Sequence, residues 1–132
     1  MSGETDLHAL LRGMRPELHS GAYVFSTVAD HVVPAGVVPV VTAVEDEGLT
    51  IVARQEEADR SGLAYDYVAG WITLRIHSSL AAVGLTAAVS RALADAGISC
   101  NVVAAFHHDH LFVPYENAER AVEVLEQLTR PA

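Results

Sequence analysis

Leu85, Val89, Leu93 and Ala96 recur at three- and four-residue steps, so residues 85–96 predict a helix with one apolar stripe that packs on a sheet. Gly97 can take the left-handed conformation that ends a helix, and it leads straight into Ile98 and an apolar strand over 99–106. A second stripe, Ala118, Ala121, Val122, Leu125 and Leu128, marks a closing helix over 116–128. Over 69–76 the period is two instead. Ile72, Leu74 and Ile76 alternate with Trp71, Thr73, Arg75 and His77, so this strand shows one face to the core and the other away from it, toward a repeat or subunit contact. The remaining pattern predicts a short helix at 6–14, strands at 22–29, 40–45, 49–53 and 110–113, and a brief helix at 55–61.

The chain repeats itself. A shift of sixty positions superposes Thr50 to Arg60 on His110 to Arg120, each an apolar strand followed by a helix start with glutamate and arginine four apart. Earlier in the chain the best shift is forty-nine, which sets Gly21 to Phe25 against Gly70 to Leu74. The first copy is therefore shorter by about three turns of helix, and the deficit falls where the second copy carries its 85–96 helix. The first copy has Pro34, Gly36 and Pro39 there, which make a loop rather than a helix. The expected division is an N-terminal helical segment 1–20, a degenerate repeat 21–66 and a complete repeat 67–132. A repeat without its helix leaves sheet uncovered and should lean on the other repeat or on another subunit.

Composition narrows the function. A chain of 132 residues with 51% apolar and 19% charged residues can bury a core. A net charge of -9 argues against a nucleic-acid or anionic-membrane partner. The basic residues are all arginine, which excludes lysine Schiff bases, covalent pyridoxal attachment and a P-loop lysine. Cys100, the one cysteine, lies in an apolar strand and reads as a packed hydrophobe, consistent with a reducing compartment. No targeting signal or bilayer-length apolar run is visible, so a cytoplasmic location is expected.

The Gly84-Leu85 helix start and the Gly97-Ile98 turn into the next strand resemble the ACT domain. From about Gly21 to Leu128 the chain is similar to small bacterial proteins built from two tandem ACT-like repeats. Two departures stand out: Val83 occupies the position before the helix glycine where proline is common, and no attached catalytic domain is expected. The resemblance implies an α+β, ferredoxin-like tandem repeat with antiparallel sheets, helices mainly on one face, and a first repeat lacking its first helix.

The candidate ligand site follows from the same helix start. Backbone donors at Val83, Gly84, Leu85 and Thr86 can receive a carboxylate, with His77, Ser78 or Ser79 contacting the same group or the ligand amine. The plainer alternative is that the two serines only shape the loop. ACT-like sites also use the second strand and neighbouring turns, which adds Asn101 and Asp109. His107-His108-Asp109-His110 reads as a hairpin turn rather than a metal cluster, because alternate residues face opposite ways and zinc needs about four converging ligands. His77 beside Ser78 has no nucleophile-elbow context. Glu45-Asp46-Glu47 before Gly48 reads as a solvated hairpin tip. The expectation is a non-catalytic sensor without cofactor that binds a small molecule, an amino acid first, as a homodimer. The alternative is a module docking on an enzyme or transcription factor.

Overall fold

A computed structural model describes residues 6–76 and 83–130. In chain order the elements are α1 (Leu7–Gly13), β1 (Arg15–Leu18), β2 (Tyr23–Val28), β3 (Val41–Glu45), β4 (Gly48–Arg54), α2 (Gln55–Arg60), β5 (Val68–Arg75), α3 (Leu85–Asp95), β6 (Asn101–Ala104), β7 (Asp109–Pro114) and, after a 3-10 turn at Tyr115–Asn117, α4 (Ala118–Leu128). They form two compact units, one over Gly21–Ala69 and one over Met1–Ser20 with Gly70–Ala132.

In the Gly21–Ala69 unit, β4 is the middle strand, antiparallel to β3 on one side and to β2 on the other. The acidic tip falls between β3 and β4, as the glycine after it suggested. Residues 29–40 carry no helix, and the two prolines and Gly36 explain why. Val37 from that loop is buried with Leu49, Ile51 and Ala53, and Val33 packs beside them. The loop thus supplies part of the apolar cover that a helix would give. Its Val38 amide donates to the Glu57 carboxylate on α2 at 2.8 Å.

In the other unit, β5 has β1 and β7 as neighbours and β6 lies beyond β7. The α3 stripe is buried as expected: Leu85, Val89 and Leu93 join Ile72, Leu74 and Leu111 of the strands and Ala121 and Leu125 of α4 in one core. Leu10 and Met14 from the N-terminal segment belong to that core too, and residues 15–18 pair with β5. Strand β1 was not legible in the sequence. Arg15-Pro16-Glu17-Leu18 carries a proline and two charges, yet a strand with a single neighbour tolerates a missing amide donor, and Arg75 of β5 donates to Glu17 at 2.8 Å across the pair.

The end of α3 is a Schellman motif. Gly97 has φ 75°, its amide donates to Ala94, and the Ile98 amide reaches back to Leu93, both at 2.9 Å. These bonds satisfy carbonyls at the helix end and aim the chain into β6.

Candidate functional site

Gly84 caps the N-terminus of α3 with φ 103°, in the left-handed region where glycine pays no Cβ penalty. Gly84 has no side chain with which to cap this end, and the first turn of α3 holds no acidic residue. The positive end of the helix dipole is thus left without a compensating charge from the helix itself. Val83 and Thr86 beside it are exposed, whereas Leu85 is buried in the core. Leu7 of α1 closes one side, its Cδ2 lying 3.2 Å from where a Gly84 Cβ would stand. Among the described residues Leu7 is the nearest wall of the helix mouth, and Thr86 is exposed beside it. His77, Ser78 and Ser79 lie outside the described residues.

Asn101 and Asp109 sit on the β6–β7 hairpin, but not together. Asn101 is opposite Phe112, whose carbonyl its side-chain amide approaches at 3.5 Å. Asp109 pairs with Ala104, three positions further on, or about 10 Å along the strands. Burial pushes the Asp109 carboxyl above its usual range, against the opposing pull of His108. Burial also pushes the Cys100 thiol up to about 11, which removes the thiolate needed for attack. At pH 8, labelling of Cys100 by a disulfide reagent is therefore expected to run at least tenfold slower than labelling of free glutathione, and full labelling at the free rate would contradict its packing.

The histidine run does form a turn, closed by the Ala105 amide on the His108 carbonyl at 3.1 Å, with β7 starting at Asp109. Among the described residues no group of three His, Cys, Asp or Glu side chains is placed to hold a metal. His110 instead faces β5. Its Nδ1 receives the Trp71 indole N–H at 3.1 Å and lies 3.0 Å from the Thr73 hydroxyl. That hydroxyl is also 2.7 Å from His19 Nε2, and the His19 ring stacks on Trp71 with centroids 3.5 Å apart. Trp71, Thr73 and Arg75 share the face opposite the core as the alternation implied, but Thr73 is only 2% exposed. Neither His19 nor its partnership with Thr73 was legible, since the strand that leads to His19 was not.

The Gly21–Ala69 unit has an open groove of about 660 Å³ lined by Phe25, Ser26, Thr27, Glu45, Thr50, Ala64, Tyr65 and Asp66. Three of its hydroxyls are engaged within the protein: Ser26 donates to the Ala64 carbonyl, Thr50 to Glu45 and Tyr65 to Asp59.

Residues 2–70 match the ACT domain family, and residues 67–127 match it a second time. The chain belongs to the ACT domain family. Two ACT domains stand in tandem, and the fold of their helices and antiparallel strands is the ferredoxin-like one expected. A protein of unknown function from Vibrio cholerae, named a possible transport protein, is 43% identical, with 94% of this chain and 96% of that one aligned and a TM-score of 0.83. A protein from Agrobacterium tumefaciens is 21% identical over 88% of this chain and 89% of its own, with a TM-score of 0.66. The regulatory subunit of aspartate kinase from Thermus thermophilus is 10% identical over 88% and 97%, with a TM-score of 0.65. The last two show shared fold alone. Among curated proteins none matches the sequence. ACT domains are regulatory domains that bind small molecules, typically amino acids. Among the described residues no helix is long and apolar enough to cross a membrane.

Proposed function

We propose that this tandem ACT protein is a non-catalytic amino-acid sensor, and that it holds the ligand carboxylate on the amides that open α3. The observation that carries this reading is the acid-free start of α3 at Gly84, uncapped among the described residues, with Thr86 exposed beside it. Oriented N–H groups there favour an anion at low reorganisation cost. His77, Ser78 and Ser79 belong to the segment leading into this helix start and supply hydroxyl and imidazole partners for the ammonium or side chain. Asp109, or Asn101, serves as a second contact from the hairpin. Binding acts by bringing separate elements onto one ligand, which favours the arrangement in which they are docked, in a homodimer.

Isothermal calorimetry against the twenty common amino acids tests the proposal, with Thr86→Glu as the decisive variant. A carboxylate in the first turn of α3 supplies the charge that the helix lacks, so the variant is expected to hold or gain stability, by about 0.3–1 kcal/mol. At the same time it should weaken the ligand at least tenfold. Unchanged affinity in Thr86→Glu would remove the helix start as the site; silence from all twenty amino acids would remove amino-acid sensing.

A further inference from the structure

Hydrogen-bond stoichiometry on the outer face of β5 sets the protonation of three side chains. An indole N–H only donates, so His110 Nδ1, which receives it from Trp71 at 3.1 Å, carries a lone pair, and the His110 ring proton sits on Nε2. The Thr73 hydroxyl, 3.0 Å from the same nitrogen, then has to donate to it. Its oxygen is left to accept from His19 Nε2 at 2.7 Å. The chain of donors therefore runs from His19 through Thr73 to His110, with Trp71 converging on the same end.

The two histidines respond differently to acid. A protonated His19 still donates through Nε2 and keeps its place. A protonated His110 presents N–H at Nδ1 to the indole, which only donates and so loses its acceptor, while the Thr73 hydroxyl turns to accept that N–H. Thr73 is buried, so water does not readily take up the hydroxyl proton that His110 no longer accepts.

We propose that His110 is the proton-operated latch of this domain: uptake of one proton at Nδ1 detaches the Trp71 indole of β5 from β7 while the rest of the fold stays formed. This device is independent of ligand binding at α3. The charged groups around it oppose the protonated state. Burial first, then His108, His19 and Arg75, pull the His110 titration below the ordinary histidine value of 6.5. Glu17, which otherwise offsets these cations, is held by Arg75, and burial raises the Asp109 carboxyl on the same strand. Because the latched state disfavours the proton, its stability is complete above the unfolded histidine value and is lost as pH falls through the lower, folded one.

Trp71 is the one tryptophan of the chain, so its fluorescence reports the latch directly. Titration from pH 8 to 4.5 is expected to change the emission of the wild-type protein with a midpoint below 6.5 while far-UV circular dichroism stays constant. His110→Gln should abolish that transition; His19→Gln should shift the starting emission but keep it. A transition that survives in His110→Gln, its absence from the wild type, or one that coincides with loss of circular dichroism would overturn the proposal. Long-range proton–nitrogen NMR of the wild type covers the case in which the variants fail to fold: a His110 proton on Nδ1 above pH 7 contradicts the assignment outright.

Discussion

Leu93→Ala is expected to lower the unfolding free energy by about 2–5 kcal/mol, read from the midpoint of a urea titration. Leu93 is fully buried on the α3 stripe, in the core it shares with Leu85, Val89, Ile72, Leu74 and Leu111. Truncation removes its transfer energy and leaves a cavity that neighbours held by the sheet cannot close. Arg91, two residues earlier on the same helix, is exposed, and Arg91→Ala should change stability by no more than about 0.5 kcal/mol. If both variants lost equally, the assignment of the α3 stripe to the core would fail. A whole-chain stability of about 5–15 kcal/mol means that Leu93→Ala alone removes a large share of it.

The second large effect comes from a place with no room. A Cβ added to Gly70 would lie 2.6 Å from the Ala118 Cβ, closer than real Cβ atoms approach. Neither partner yields cheaply, since Gly70 is inside β5 and Ala118 is a buried residue at the start of α4. Gly70→Ala should therefore cost about 1–3 kcal/mol through forced displacement of strand or helix. Removing the obstacle should recover much of that. The double variant Gly70→Ala with Ala118→Gly is expected to be more stable than the sum of its single effects by at least 0.5 kcal/mol, the coupling expected of residues in contact. Simple additivity would show that the strand and helix do not meet at these two residues.

What was legible in the sequence was local. The period of Leu85, Val89 and Leu93 located α3 to within a residue, because the helix repeat is carried by neighbours in the chain. Gly97 marked its end through a backbone conformation that other residues adopt at a cost. Pro34, Gly36 and Pro39 announced the missing helix of the first ACT domain by removing donors and fixing dihedrals. The part played by Val37, which turns that loop into core cover, rests on contacts with β4 and had no local signal.

Strand β1 and the outer face of β5 show the other limit. Arg15-Pro16-Glu17-Leu18 has no strand pattern of its own and is a strand because β5 offers it a partner. Without that pairing His19 had no place, and its bond to Thr73 spans 54 residues of chain. Thr73 read as an outward polar residue by alternation. It is outward from the helix-covered core, but two histidines cover it. The histidine run reads as a hairpin turn, and nothing local in it shows that His110 meets an indole and a hydroxyl of β5.

Ligand sensing depends most heavily on the amides that open α3. Backbone amide NMR during titration with the best-binding amino acid reads them directly. The predicted result is saturable shifts at Leu85, Thr86 and Ala87 that exceed those elsewhere in the chain and vanish when the ligand carboxylate is replaced by its amide. Saturation of the protein with those three resonances unmoved, or shifts indifferent to loss of the carboxylate, would contradict it.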